Sequence, residues 1–167
     1  TGVQISLEKR TTLIVGRNNA GKTSLMELFR RLLSEKTPHF RLEDFSLAAH
    51  EQFWSAAEYR KANNTEEETR SILPIIEVKL TLDYDINASS LGALSTCIID
   101  LDPECHEVLI VISFAPEGSK IVELFDKLTE GGNIPSRRAF FQAIKDRLSS
   151  YHALPLHAVD PNDSGHR

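Results

Sequence analysis

Gly16, then four residues, then Gly21, Lys22 and Thr23 is the run in this chain whose residue types and spacing point most directly to chemistry. Glycines at those two positions let backbone N–H groups curl closely around an anion, because no Cβ stands in the way. A lysine ammonium placed next can reach the β and γ phosphates of a nucleotide, and the hydroxyl after it can ligate the Mg²⁺ that bridges the same oxygens. The pattern is that of the Walker A phosphate loop. It assigns nucleotide contacts to Gly16, Arg17, Asn18, Asn19, Ala20, Gly21, Lys22, Thr23 and Ser24, with Thr23 as the Mg²⁺ ligand and Lys22 as the catalytic cation.

Such a loop works only between a strand and a helix N-terminus. Thr11–Val15 is a short apolar, β-branched run of the kind that forms a buried central strand. Beyond the loop, Leu25, Leu28, Phe29, Leu32 and Leu33 recur at helical spacing opposite Glu27, Arg30, Arg31 and Glu35, which predicts an amphipathic helix ending before Pro38. A second helix is predicted from Ser46 to about Lys61, with Phe53, Trp54 and Ala57 inward. The polar, charged stretch 62–71 reads as an exposed loop. Ile76, Val78, Leu80, Leu82 and Tyr84 alternate with polar residues, which predicts a strand with one wet face. Val108–Phe114 is apolar on both faces and is expected to pair with it antiparallel. A short helix is expected within 88–99, another over Ile121–Leu128, a break at Glu130–Pro135, a helix capped by Ser136, and a last strand at Leu156–Val159. The plan is α/β, a mixed sheet with an antiparallel β region, in one domain.

The bulk numbers agree. A chain of 167 residues with 41% hydrophobic content can build one real core. No apolar run is long enough to cross a bilayer, and no signal peptide is visible, so a cytoplasmic protein with no membrane partner is expected. Cys97 and Cys105 have only His106 nearby and read as ordinary thiols. A net charge of −5 argues against a domain whose main task is gripping a phosphate backbone. The chain starts without methionine and stops at "DPNDSGHR", and is therefore expected to be cut from a longer protein.

The run "TTLIVGRNNAGKTSLMELF" resembles the loop of the ABC-type ATPases grouped with the RecF, SMC and OLD (overcoming lysogenisation defect) proteins. "LEDFS", Leu42–Ser46, and "YHALPLHAVDPND" are similar to segments of OLD-type ATP-dependent endonucleases. The resemblance implies a P-loop NTPase of the ABC-ATPase-head type, with residues 1–167 as the N-terminal portion of the head. It implies ATP and Mg²⁺ as cofactors and a homodimer of heads, formed through the full-length protein, that sandwiches ATP. It also implies DNA handled through regions outside this segment, where a Toprim nuclease follows, and low or no turnover by the segment alone.

Some expected parts are not found. Asp100 in "TCIIDLD" and Asp160 in "AVDPND" mimic a Walker B carboxylate but lack the acidic residue that should follow, and read as turn formers. Asp44 has two readings, support of the γ-phosphate or metal-bound water, or help in starting the helix at Ser46; Gln52 is a weaker candidate for the first task. Arg137, Arg138, Lys145 and Arg147 invite a nucleic-acid reading, against which stands a solvated helix face in an acidic domain. A small GTPase is the main alternative, since an Asn-Ala-Gly-Lys-Thr loop occurs there too. Its guanine-reading and γ-phosphate-sensing motifs are absent, "FDKLTE" and "APEG" being the nearest approaches. A non-hydrolysing, nucleotide-dependent interaction module is the third reading.

Overall fold

A computed structural model describes residues 2–18, 20–34, 38–62, 65–88, 90–98, 105–117, 120–128 and 136–160. The chain divides into two compact units, residues 1–39 and 40–167.

In the first unit, residues 2–18 form neither helix nor strand. The Glu8 backbone N–H donates to the Thr12 hydroxyl at 2.8 Å, closing a bend at Lys9 and Arg10. The buried central strand expected at Thr11–Val15 is not formed, and Leu13 and Val15 are 82% and 79% exposed. A central strand exists only through ladder partners on both sides, and no described residue pairs with this run. Helix α1, Lys22–Ser34, forms as its pattern predicts. Leu25, Leu28, Phe29 and Leu32 are half-buried, whereas Leu33, at the edge of the apolar stripe, is exposed.

The second unit opens with a 3₁₀ turn over Leu42–Asp44 and helix α2, Leu47–Lys61. The Ser46 hydroxyl accepts from the Ala49 N–H at 3.2 Å, which is the N-cap its position promised. Stretch 62–71 is not an exposed loop: residues Glu66–Ile72 form helix α3. The reason is a reciprocal capping box, in which the Thr65 hydroxyl accepts from the Glu68 N–H at 3.3 Å and the Glu68 carboxylate accepts from the Thr65 N–H at 3.1 Å. Glu66, Glu67 and Glu68 all lie in the first turn, where the helix dipole favours anions. Thr69 is fully buried and its hydroxyl donates back to the Thr65 carbonyl at 2.8 Å. Asn63 and Asn64 lie outside the described residues. Thr65→Ala should lower stability by about 1 kcal/mol, read as a lower denaturant midpoint at unchanged slope; no change would mean the cap contributes nothing net.

Strand β1, Ile76–Asp83, pairs antiparallel with β2, Glu107–Pro116, in register from Ile76 opposite Phe114 to Asp83 opposite Glu107. Tyr84 extends this ladder, its N–H donating to the His106 carbonyl at 2.9 Å and its hydroxyl to the Cys105 carbonyl at 2.8 Å. A short 3₁₀ helix, Gly92–Thr96, is the one expected within 88–99. On its other side β2 pairs with β4, Leu156–Val159, and its end pairs with β3, His152–Ala153. The two-sided apolar pattern of β2 is thereby explained: it is the central strand, and Val108–Ile112 are all buried. β1 sits at an edge and alternates half-buried with exposed residues.

Helices α4, Lys120–Leu128, and α5, Arg137–Tyr151, complete the unit, with the Ser136 hydroxyl accepting from the Ala139 N–H at 3.4 Å at the start of α5. The expected break at Glu130–Pro135 lies outside the described residues. Phe53, Phe125, Phe140 and Ile144 are 0% exposed. Trp54 meets Phe140 edge-on at 5.1 Å, Phe125 stacks on Phe140 at 6.2 Å, and Phe45 meets Phe53 edge-on at 5.3 Å. Phe53 and Trp54 are thus core-forming residues of α2, as their spacing predicts.

Candidate nucleotide-phosphate site

The loop is built almost wholly from main chain. The Ala20 N–H donates to the Arg17 carbonyl at 3.3 Å, tightening the turn, and Gly21 adopts φ +80°, a left-handed conformation that costs an L-residue strain. The Gly21 carbonyl then accepts from the Leu25 N–H at 3.0 Å, so the same residue closes the loop and opens α1. Lys22 folds its side chain back over the loop, its Nζ donating to the Gly16 and Arg17 carbonyls, each at 2.6 Å. The ammonium therefore lies against the loop's own carbonyls, while the Lys22 backbone opens a 13-residue helix. No acidic residue occupies the first turn of α1, so no carboxylate of the helix itself answers that positive end.

Gly16 offers a test of fit. A Cβ added there would lie 3.5 Å from the Ala20 Cβ, 3.9 Å from the Lys22 Cδ and 4.0 Å from its Nζ. These are ordinary contacts, so the fold alone does not demand glycine. Such a methyl would nevertheless sit beside the Lys22 ammonium. The residue types and the loop geometry thus fit a phosphate group. Arg17, Asn18, Thr23 and Ser24 are exposed, and Asn19 lies outside the described residues.

One contributor was not singled out from sequence. Arg31, only 14% exposed at its side chain, donates to Glu27 at 3.0 Å and to the His39 carbonyl at 3.0 Å, tying the segment after α1 back to the helix. Hydrogen bonds from Arg30 and Arg31 hold the Glu27 carboxyl well below the usual range, at about 2. The i, i+4 spacing of Glu27 and Arg31 was the readable signal.

The remaining candidates lie in the second unit. Asp44 accepts from the Arg41 N–H at 2.7 Å and caps its own 3₁₀ turn, and the Ser46 hydroxyl caps α2. Gln52 is exposed on α2. Of the basic group on α5, Arg137 pairs with Glu51 and lies 5.6 Å from the Trp54 ring and 5.8 Å from the Phe141 ring, and Lys145 pairs with Glu43 at 2.5 Å. Two of the four charges are answered within the second unit, which favours the solvated face over a nucleic-acid stripe. Asp100 lies outside the described residues, and Asp160, half-buried, follows β4. Cys97 and Cys105 are free thiols, and no group of three or more metal-ligating side chains occurs among the described residues. No described helix is long and apolar enough to cross a membrane.

A glycine-rich turn and a lysine folded over it lead into helix α1, whose first turn carries no acidic residue. The chain matches the family model of the AAA ATPase domain over residues 1–153, and it belongs to that family. No curated protein and no solved structure is detectably similar to it. The α/β expectation with an antiparallel β region holds at the level of this ATPase domain, but the expected mixed sheet is not seen among the described residues, whose strand pairs are all antiparallel.

Proposed function

We propose that the chain binds Mg·ATP at Gly16–Ser24 as the ATPase part of an OLD-like, DNA-processing enzyme. The observation that carries nucleotide binding is the Lys22 ammonium, held by two loop carbonyls beside an acid-free helix N-terminus. The narrower OLD reading is supported by the run from Thr11 to Phe29 and by "LEDFS", Leu42–Ser46. On that reading, heads pair as a homodimer in the full-length protein, and DNA is cut by a domain outside this segment. Mg²⁺, bound through the Thr23 hydroxyl, would offset charge on the β and γ phosphate oxygens. The chain's own contribution is to bind and orient: main-chain N–H groups and the start of α1 receive the phosphates, and Lys22 fixes the terminal ones.

Calorimetric titration with Mg·ATP, repeated with GTP as competitor, tests this reading. ATP should bind, and GTP should compete almost as well, because such a site grips phosphate more than base. Gly16→Ala should weaken ATP binding at least tenfold while leaving the unfolding midpoint within about 0.5 kcal/mol of wild type. Unchanged affinity in Gly16→Ala would remove the site from this loop. Strong GTP preference would favour the GTPase alternative instead.

A further inference from the structure

Residues 152–159, comprising β3 and β4, run along β2 as a strap. Leu156 and His157 are exposed, and Ala153, Leu154, Pro155, Ala158 and Val159 are half-buried. The one buried side chain in the strap is His152, 6% exposed. Its ring stacks on Phe114 at 4.8 Å and faces Phe53 at 6.1 Å. Its Nδ1 lies 3.2 Å from the Leu148 carbonyl in the last turn of α5, so Nδ1 carries the proton and donates. Nε2 is buried with no hydrogen-bond partner. We propose that His152 is an acid-sensitive pin: a proton added at Nε2 frees the strap β3–β4 from β2 and leaves the rest of the second unit folded.

The physical reason is that Nε2, where the second proton must sit, has no hydrogen-bond acceptor among the described residues. A buried cation without a partner is far costlier than the same imidazolium in water, so the charged form is favoured by leaving the core. The groups packed on the ring are uncharged: Phe114 from β2, Phe53 from α2 and the Leu148 carbonyl from α5. Of the charged or titratable residues on and beside those elements, Glu117 pairs with Lys120, Glu51 with Arg137, Lys145 with Glu43 and Arg60 with Asp126, Asp146 accepts from Gln142, and His50 meets the Leu42 carbonyl; Glu58, Lys61, Glu107, Arg138 and Arg147 are exposed, and Tyr59 and Tyr151 are half-buried. On the strap itself, His157 is exposed and Asp160 follows its end. The strap is held by its ladder to β2, by the Ser113 N–H donating to the Pro155 carbonyl at 3.2 Å and, at its start, by the Glu117 N–H donating to the Tyr151 carbonyl at 2.9 Å.

Burial holds the His152 imidazole down at about 4, outweighing the Leu148 carbonyl, which favours the charged form. The open strap exposes an ordinary histidine and takes up a proton below about 6.5, whereas the closed one does not until about 4. Closure is therefore fully supported above pH 6.5 and is lost as pH falls towards 4, and the open fraction should rise about twentyfold between pH 7 and pH 5.

Hydrogen exchange of the whole chain, corrected for the intrinsic pH dependence, reads this directly. The Ser113 amide, which donates to the strap, should show the twentyfold rise in opening, and the Thr69 amide in α3 should not follow it. In His152→Phe, which keeps the stacking and cannot titrate, the Ser113 rise should fall below about threefold. An equal rise in both proteins, no rise in wild type, or Thr69 opening together with Ser113 overturns the proposal. Should His152→Phe not fold, the nuclear magnetic resonance titration of the wild-type His152 Cε1 proton decides: a midpoint near the ordinary histidine value rejects the pin, and one well below it supports it.

Discussion

Lys22→Ala should weaken Mg·ATP binding by about a hundredfold. The magnitude follows from what the ammonium contributes to a phosphate: charge-assisted hydrogen bonds worth about 1.5–3 kcal/mol each, so that two of them amount to about 3 kcal/mol or more. The same side chain spans the loop, donating to the Gly16 and Arg17 carbonyls, so its loss also removes the clasp that holds the turn closed. Stability should change little, because Lys22 is half-exposed at the start of α1 and alanine is the best helix former. Calorimetry and a denaturant midpoint on the same protein separate the two effects. Unchanged ATP affinity with an intact fold would sever the link between this lysine and any triphosphate. Loss of affinity together with loss of α1 would instead locate the effect in the helix start.

What could be seen from sequence was whatever is fixed locally. The phosphate loop was visible because all its parts lie within nine residues, and Gly21 does adopt the positive φ that its place requires. The caps Ser46 and Ser136 were visible because a capping hydroxyl reaches only the third residue onward. β1 and β2 were legible through period and through the contrast between one wet face and none, which marks an edge strand against a central one. The errors have different causes. Helix α3 was hidden because its polar composition reads as loop, although Thr65 and Glu68 at capping-box spacing announced it. Thr11–Val15 has a strand's composition, but composition cannot supply ladder partners. The pairs Arg137–Glu51 and Lys145–Glu43 join residues 86 and 102 positions apart, and nothing local encodes such distances. His152 carried no signal because a lone histidine looks alike whether it is buried or wet.

Phe140→Ala should be the most damaging single truncation in the second unit, costing about 3–5 kcal/mol. The ring is fully buried and meets Trp54 edge-on at 5.1 Å and Phe125 in a stack at 6.2 Å, so α2, α4 and α5 all lean on it. Truncation removes the transfer energy of the ring, leaves a cavity among α2, α4 and α5, and discards three aromatic contacts, the third an edge-on one with Phe141 at 5.2 Å. Against a total stability of about 5–15 kcal/mol for a domain, that is about a fifth or more, and the melting temperature should fall on the order of 10 °C. Phe141→Ala is the natural comparison, since its ring is half-exposed and packs beside His50 at 5.7 Å on the flank of α5. That change should cost about 1 kcal/mol. Equal losses at the two positions would mean that helix propensity or surface packing, rather than the three-ring stack, holds α5 in place. A loss under 1 kcal/mol at Phe140 would mean the helices close over the gap, and the aromatic core would then be filling space without fixing the arrangement of α2, α4 and α5.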